Sequence, residues 1–322
     1  MLFFIILFLA VGMLALYKGA DLLIAHASSL AAKLGVSTVV VGMTVITIGT
    51  ILPELSVMVA SSLRQANDLI IGNALGTTAF NFGIVLGIAA LINPIAIQDS
   101  VLKHEFPWLM LYAAVIYFLA FDLLISRGDA LILLFLAAAF VWYSIRQSRR
   151  EVLEKLGKLR QHKRQQSAMK TGKSWFKIIL GMVLILGGAK LFVDASLSLA
   201  QHFAFSEYLA GLLVIAVGTS LPELVTAVMA SARHQPALGV GNAIGSATMN
   251  VLFVVGIAAL IRPIVIHPDM LIFDFPMVLF FTILISVLFG SSHRLSRFEG
   301  ALLVAGYVVY LAYGIKFWGL AA

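Results

Sequence analysis

The sequence predicts an all-α integral membrane protein of ten transmembrane helices, arranged as two inverted five-helix repeats. Three observations support this fold class. Apolar residues make up 61% of the 322 residues and charged residues only 11%, whereas a soluble domain averages about 25% charged residues. Apolar runs of about 20 residues, the length that crosses a bilayer, recur along the chain. The two halves of the sequence also match each other at a constant offset.

Ten apolar stretches are predicted to span the membrane, five ending before residue 146 and five beginning at residue 176 or later. They cover residues 2–23, 38–63, 69–92, 106–124, 130–143, 176–197, 208–230, 237–261, 275–289 and 302–317. The four tryptophans fall at the ends of these stretches, as an interfacial aromatic belt requires: Trp108, Trp142, Trp175 and Trp318. The first stretch has no basic n-region or cleavage site, so we interpret it as a retained span.

One segment carries most of the positive charge. Residues 146–177 contain eleven Lys or Arg and two Glu, a net charge of +9, against +7 for the whole chain. The positive-inside rule therefore predicts a cytoplasmic loop in the plasma (inner) membrane. Five spans on each side of this loop place both termini outside. The predicted organisation is a first five-helix repeat (1–145), the basic loop (146–177) and a second repeat (178–322).

The internal repeat is visible at an offset of 169 residues. Glycines, prolines and acids coincide at this offset, which chance similarity between apolar segments would not produce. GTILPE at 49–54 meets GTSLPE at 218–223, and GNALGTTAFN at 72–81 meets GNAIGSATMN at 241–250. Because each half has an odd number of spans, the second copy enters the bilayer from the opposite face. Such inverted repeats are common in secondary transporters, which bind their substrate near the midplane between the copies.

Glu54 and Glu223 lie in the middle of apolar stretches, where a charge is costly unless it faces a partner or a water-filled cavity. The alternative is a structural carboxylate that is protonated or hydrogen-bonded. Each glutamate follows a proline that interrupts the helix and leaves the carbonyl of the preceding glycine without its usual donor. Such carbonyls occur at membrane depth where they line a cavity. Together with Thr50 and Thr219, the motifs offer the oxygen ligands that Ca²⁺ and Na⁺ prefer.

The neighbouring spans carry polar residues at a spacing of four, so they share one helix face. These residues are Asn73, Thr77 and Asn81 in the first half, and Asn242, Ser246 and Asn250 in the second. Small and polar residues of this kind also join helices within membranes, which is the alternative interpretation.

Both halves, with GTxxPE followed by GNAxG and a later Asn, resemble the Ca²⁺/cation antiporter superfamily. More narrowly, the chain is similar to the bacterial and archaeal sodium/calcium exchangers. This resemblance implies ten helices, ions held between spans 2, 3, 7 and 8, and alternating access in which spans 1 and 6 slide past the rest. It implies Ca²⁺ and Na⁺ as transported substrates, no cofactor, and no partner beyond the lipid bilayer.

Residue by residue, the resemblance implies a complete set of ligands. It places Ca²⁺ on Glu54 and Glu223 with the backbone carbonyls of Thr50 and Thr219. It places sodium at the hydroxyls of Thr77, Ser220 and Ser246, with Asn81 and Asn250 at the centre of the site.

Three departures from the family pattern affect these expectations. Ile51 stands where the family usually has Ser, although Ser220 is kept, and Thr47 one turn earlier offers a hydroxyl on the same face. The alternative is that Thr47 bonds its own backbone. The common GSN reads GTT in one half and GSA in the other. Asn250 replaces the Asp of many relatives, which argues against potassium co-transport and leaves two formal charges at the site.

The sequence thus favours a secondary-active antiporter that exchanges Ca²⁺ for Na⁺. The alternatives are an antiporter that uses H⁺ or moves another divalent ion, and a passive cation channel. The first is disfavoured because proton/calcium exchangers generally read GN where this chain reads GT. No enzyme is expected, because no nucleophile–base or metal–base constellation is visible. The apolar composition excludes a nucleic-acid-binding chain, and the lack of cysteine excludes thiolate sites.

Overall fold

The computed structural model describes residues 2–34, 36–96, 106–159, 171–202, 216–292 and 294–319, which are almost entirely helical. In the first half, the helices are α1 (Leu2–Leu34), α2 (Thr38–Val41), a π-helical segment π1 (Gly42–Ile46), α3 (Thr47–Thr50), α4 (Leu52–Leu63), α5 (Asn67–Phe80), π2 (Asn81–Val85), α6 (Leu86–Ile92), α7 (Phe106–Leu119) and α8 (Arg127–Leu159).

The second half repeats this order. Its helices are α9 (Thr171–His202), α10 (Ala216–Thr219), α11 (Leu221–Ala232), α12 (Pro236–Met249), π3 (Asn250–Val254), α13 (Val255–Ile261), α14 (Pro268–Ile272), α15 (Asp274–Ser292) and α16 (Arg297–Gly319). From α10 to α13, every helix has the bounds of its counterpart between α3 and α6 shifted by 169 residues. The sequence repeat is therefore also a structural repeat.

Six helices in the described part of the chain are long and apolar enough to cross a membrane. The pair formed by Thr38–Thr50 and Leu52–Leu63, bent by 48°, raises the number to seven. Three further predicted spans are represented by the 14-residue α7, by α10 with α11, and by α16. The membrane-spanning helical class is established by these lengths, and the count of ten stays a prediction.

Four two-residue strands correct the expectation of a purely helical protein. Strand β1 (Ile95–Ala96) pairs antiparallel with β4 (Arg294–Leu295), and β2 (Leu124–Ile125) pairs antiparallel with β3 (Ile264–Val265). The strands are connections between helices, whose backbone groups must find partners at the ends of the helices. Two residues are too few to produce the alternating pattern by which strands are predicted. Each ladder joins one half of the chain to the other.

The contacts between the halves are reciprocal. Helix α6 packs on α16, and its counterpart α13 packs on α8. A methyl group on Gly87 would lie 2.9 Å from the Gly300 carbonyl oxygen, and one on Gly256 would lie 3.4 Å from the Ala130 carbonyl oxygen. A helix of the first half thus contacts a helix of the second half, and the counterparts of these two helices contact each other in the same way. This is the pattern of a two-fold relation between equivalent units.

The same reciprocity governs the crossing of α1 with α9. A methyl group on Gly12 would lie 3.0 Å from the Gly188 carbonyl oxygen, and one on Gly19 would lie 2.7 Å from the Gly181 carbonyl oxygen. Gly181 and Gly188 are the counterparts of Gly12 and Gly19 at the offset of 169. Glycine is required at these positions because the two backbones touch without intervening side chains.

The basic segment differs from the loop that the sequence predicts. Helix α8 continues to Leu159 and α9 begins at Thr171, so both ends of residues 146–177 are helical. The sequence there is rich in Glu, Lys, Arg and Leu, which are good helix formers even when the segment is too polar to enter a bilayer. Residues 160–170 lie outside the described part of the chain.

Candidate functional site

The site is built around two equivalent breaks in helices. Ile51, between α3 and α4, has φ −78° and ψ −1°, and Ser220, between α10 and α11, has φ −94° and ψ 5°. Pro53 and Pro222 lie in the first turn of the helix that follows each break. Proline has no N–H to donate and fits the first turn of a helix, so each GTxxPE motif ends one helix and begins the next.

Each break delivers a glutamate to the interior. Glu54 and Glu223 lie in the first turns of α4 and α11, where the positive end of the helix dipole favours a negative charge. Both side chains are fully buried. The two carboxylates, one from each half, are close enough to repel each other. Neither oxygen of Glu54 has a hydrogen-bond partner among the residues described.

Asn81 and Asn250 occupy equivalent places at the start of π2 and π3. Each side chain is buried, and within the described ranges both amide atoms of each residue lack a hydrogen-bond partner. A π-helical turn inside an α-helix is an irregularity that is frequent at functional sites. Two irregularities at the same repeat position, each presenting an unsatisfied amide, mark these residues as candidates for ligand contact.

Hydroxyl groups surround the carboxylates. Ser246 Oγ lies 3.2 Å from Glu223 Oε1. Ser220 is fully buried, with no hydrogen-bond partner for its hydroxyl in the part of the chain that is described. Thr77 and Thr219 are buried as well, at 4% and 9% exposure. All ten predicted site residues are therefore interior.

Thr47, which the sequence suggested as a replacement for the missing hydroxyl at position 51, contacts both its own helix and the other half. Its Oγ1 lies 3.0 Å from the Gly42 carbonyl oxygen, and 3.3 Å from both the carbonyl oxygen and Oδ1 of Asn242. Thr50 Oγ1 lies 3.2 Å from the same Asn242 Oδ1. Ile51 is buried beside them and offers no ligand.

Among the buried asparagines, serines and threonines outside the predicted ligand set, three have an unpartnered side-chain atom in the described part of the chain. Asn242, Thr226 and Thr248 are fully buried, and each has a side-chain N or O atom without a partner among the residues described. Asn242 belongs to the GNA motif, and Thr226 lies one turn after Glu223 on the same face, so both had a signal in the sequence. Thr248 had none, because Ala79 occupies the equivalent position in the first half.

The charge of the site is limited to the two carboxylates. No group of three or more His, Asp or Glu side chains that could hold a metal ion occurs within the described ranges. Neutral oxygens from threonine, serine and asparagine therefore surround two acids.

Comparison with known proteins agrees with this geometry. The family model described as sodium/calcium exchanger protein matches residues 4–146 and 173–316. The chain belongs to the sodium/calcium exchanger family. Over 307 residues it is 35% identical to the inner membrane protein YrbG of Escherichia coli, with 94% of each chain covered. It is 29% identical to the sodium/calcium exchanger MaX1 of Methanosarcina acetivorans, covering 95% of this chain and 97% of that protein.

Solved structures of the family have the same fold. The structure of the sodium–calcium exchanger NCX_Mj soaked with zero Na⁺ and Ca²⁺ matches with a TM-score of 0.84. The sequences are 26% identical, and the match covers 97% of this chain and 99% of that one. This likeness agrees with a transporter and not an enzyme, as the sequence predicts.

Proposed function

We propose that this protein is a secondary-active antiporter that exchanges Ca²⁺ for Na⁺ by alternating access. One observation carries the proposal: two buried glutamates, delivered by equivalent helix breaks from the two halves, approach each other in the protein interior. Two unpaired carboxylates at membrane depth are strongly unfavourable without a cation. One Ca²⁺ or two Na⁺ neutralise them, so the two substrates compete for one charge pair.

The Ca²⁺ ligands in this proposal are the carboxylates of Glu54 and Glu223 and the backbone carbonyls of Thr50 and Thr219. The position of all four at the breaks supports this set, because the chain there leaves regular helical geometry. Carboxylate and carbonyl oxygens are the usual ligands of Ca²⁺. No resident cofactor is part of the proposal, since both ions are transported.

Sodium is proposed to bind at the neutral oxygens beside the same carboxylates. The hydroxyls assigned to it are those of Thr77, Ser220, Ser246 and Thr47, and the side chains of Asn81 and Asn250 lie at the centre. The unpartnered Ser220 hydroxyl and the unpartnered amides support these roles. Thr47 in place of a hydroxyl at Ile51 keeps one hydroxyl per half near the break, one turn earlier in the first half.

Alternating access is proposed to use ten helices in inverted five-helix repeats. The reciprocal contacts between the halves support a two-fold relation, which inverts the second half if each half has five spans. The glycine-lined crossing of α1 and α9 supports sliding of these two helices together past the rest, because the close backbone contact holds them to each other.

The proposed orientation places residues 146–177 in the cytoplasm and both termini outside, between repeats at 1–145 and 178–322. The concentration of positive charge supports it. Cysteine introduced at Ser167 of this cysteine-free chain is expected to resist an impermeant thiol reagent in intact cells and to react after permeabilisation. Labelling of intact cells would reverse the orientation.

The experiment that tests the function is ⁴⁵Ca²⁺ uptake into proteoliposomes containing the purified protein. An outward Na⁺ gradient is expected to drive uptake, whereas a K⁺ gradient or a proton gradient is not. Uptake driven by protons alone would identify a proton-coupled antiporter. Calcium flux that is independent of any counter-ion would identify a channel.

A further inference from the structure

Asn242 links the two halves of the chain at the site. It lies fully buried on α12 in the second half, and its Oδ1 is 3.3 Å from Thr47 Oγ1 and 3.2 Å from Thr50 Oγ1. Both threonines belong to α3, immediately before the helix break of the first half. One amide oxygen thus contacts two hydroxyls that precede Ile51.

The hydrogen-bonding capacity of these groups fits this arrangement. Each threonine has one hydroxyl proton, and an amide oxygen has two lone pairs, so Asn242 can accept both protons. A hydroxyl that donates its hydrogen bond to Asn242 keeps its own lone pairs available for a cation. The competing acceptors are backbone carbonyls of the same span, the Gly42 oxygen at 3.0 Å for Thr47 and the Thr47 oxygen at 3.3 Å for Thr50. Without Asn242, both hydroxyls would donate to these carbonyls alone, and their orientation would no longer be set from the second half of the chain.

Two glycines bring Asn242 close enough to make these contacts. A methyl group on Gly245 would lie 2.6 Å from Met43 Cα and would also clash with the Thr47 hydroxyl. Gly241 packs directly on the Val39 backbone carbonyl. Helix α12 therefore approaches α2 and π1 at backbone distance on both sides of Asn242, which fixes the amide against α3.

The second half cannot reproduce this pair of contacts. The counterparts of Asn242, Thr47 and Thr50 at the repeat offset are Asn73, Ala216 and Thr219, so one of the two hydroxyls is missing. Instead, that half has its hydroxyl at the break itself, in Ser220. The amide oxygen that contacts two threonine hydroxyls therefore lies beside the first-half break, whose residue, Ile51, has no hydroxyl of its own.

We propose that Asn242 is a positioning residue that sets the sodium affinity of the Thr47 hydroxyl by accepting hydrogen bonds from Thr47 and Thr50. This rests on the proposed sodium-coupled function. Loss of the acceptor weakens sodium binding and spares calcium, because the Ca²⁺ ligands assigned above use carboxylates and backbone carbonyls and no hydroxyl. The effect expected for one lost polar interaction is about 5-fold to 10-fold in the sodium half-saturation concentration.

The test compares Asn242→Leu with Asn242→Asp in sodium-driven ⁴⁵Ca²⁺ uptake. Leucine keeps the branch at Cγ and the number of side-chain heavy atoms but removes the acceptor, so the sodium half-saturation concentration is expected to rise while the calcium value stays within about 2-fold. Aspartate keeps two acceptor oxygens, so its sodium half-saturation concentration is expected to stay at or below that of the wild type. If Asn242 only held the helices together, leucine would either have no effect or would change the sodium and calcium half-saturation concentrations by the same factor.

A double-mutant cycle completes the test. In a Thr47→Val/Thr50→Val background, Asn242→Leu is expected to cause no further rise in the sodium half-saturation concentration, because the hydroxyls through which Asn242 acts are already absent. Thr78→Val is the matched control, since this buried hydroxyl donates to the Ala74 carbonyl of its own helix at 2.9 Å. In the Thr78→Val background, Asn242→Leu should raise the sodium half-saturation concentration by the same factor as it does in the otherwise wild-type protein. Equal effects in both backgrounds would overturn the positioning role.

The wild-type measurement separates the two ways in which this proposal can fail. Absence of sodium-driven calcium uptake by the wild type overturns the proposed function and the role of Asn242 with it. Sodium-driven uptake by the wild type, with an unchanged sodium dependence in Asn242→Leu, overturns the positioning role alone. If Asn242→Leu fails to yield folded protein, Asn242→Asp and the Thr47→Val/Thr50→Val variant still decide it. A higher sodium requirement in the former, or an unchanged one in the latter, would contradict the proposal.

Discussion

The helix break at Ile51 and the break at Ser220 have the same backbone and different side chains. Both deviate from the helix at the same repeat position, and both are followed by Pro, Glu and a new helix. The hydroxyls around them differ, with Thr47 before Ile51 in one half and Ala216 before Ser220 in the other. The two halves therefore share the backbone of the break and its glutamate, whereas the neutral hydroxyl side chains around the break differ between them.

The charged environment of the halves also differs. Asp21 on α1 forms an ion pair with Arg233 at the end of α11. At the repeat offset, the counterparts of these residues are Lys190 and Arg64, which carry like charges. A two-fold relation between the halves therefore holds for the backbone and fails for the charges. Where the halves are equal we expect equal effects of substitution, and where they differ we expect unequal ones.

The largest expected effect is that of removing either carboxylate. Glu54→Gln and Glu223→Gln should each reduce calcium uptake to background, because one unit of charge at 4 Å is worth about 4 kcal/mol at an effective dielectric constant of about 20, or roughly 1,000-fold in affinity. Uptake by purified, monodisperse variants in proteoliposomes measures this. Near-normal flux in one variant would make that carboxylate structural and would end the equivalence of the halves.

A smaller effect is expected for the hydroxyls, which lie at different positions in the two halves. Thr47→Ala and Ser220→Ala should each raise the sodium half-saturation concentration about 5-fold, as expected for the loss of one polar contact. Ile51→Ser should partly restore the Thr47→Ala variant, because it returns a hydroxyl to the break. The sodium dependence of uptake is the measurement, with Thr78→Val as the control. An unchanged sodium dependence in Thr47→Ala would show that the first half lacks this ligand and would favour fewer sodium ions per calcium.

The ion pair is expected to have an effect of a few-fold. Asp21 and Arg233 have side chains that are 29% and 42% exposed, so their pairing contributes at most about 1 kcal/mol. If the pair holds α1 in one of two alternating states, Asp21→Asn should shift the apparent calcium affinities measured from the two sides of the membrane in opposite directions. Lys190→Asp, which puts an acid at the equivalent position of the second half, should shift them the other way. Shifts in the same direction would remove the pair from the conformational change.

No effect is expected from potassium. Asn250 is neutral and matches Asn81 in the other half, so the site has no third carboxylate for an additional cation. Replacing K⁺ by choline on both sides at clamped voltage should leave sodium-driven calcium uptake unchanged. An absolute potassium requirement would contradict the two-charge site.

The sequence was sufficient for features that depend on local chemistry. Proline and glycine at fixed positions predicted both helix breaks, and an acid inside an apolar stretch identified Glu54 and Glu223, because each residue alone has a large energetic consequence at membrane depth. The constant offset predicted the repeat, because chance similarity between apolar segments would not align glycines, prolines and acids. The membrane-spanning helices followed from composition, and family membership agrees with the motifs quoted for it.

Features that depend on tertiary contacts were not predictable. The π-helical turns at Asn81 and Asn250 differ from an α-helix by one residue per turn, which leaves no signature in hydropathy. The contact of Asn242 with Thr47 joins residues 195 positions apart. The expectation of a loop throughout 146–177 was wrong at both ends, because charge indicates exposure to water and does not prevent a helix. The two-residue strands were too short to detect.

The central claim is that each half supplies one carboxylate to a single calcium site. Equilibrium binding of ⁴⁵Ca²⁺ to the purified protein in detergent tests it most directly, because binding is measured apart from transport. We expect one Ca²⁺ per chain in the wild type, displaced competitively by Na⁺, and none in Glu54→Gln or Glu223→Gln at the same free concentration. Retention of one Ca²⁺ per chain in either variant, or two per chain in the wild type, would contradict a single site shared by the two halves.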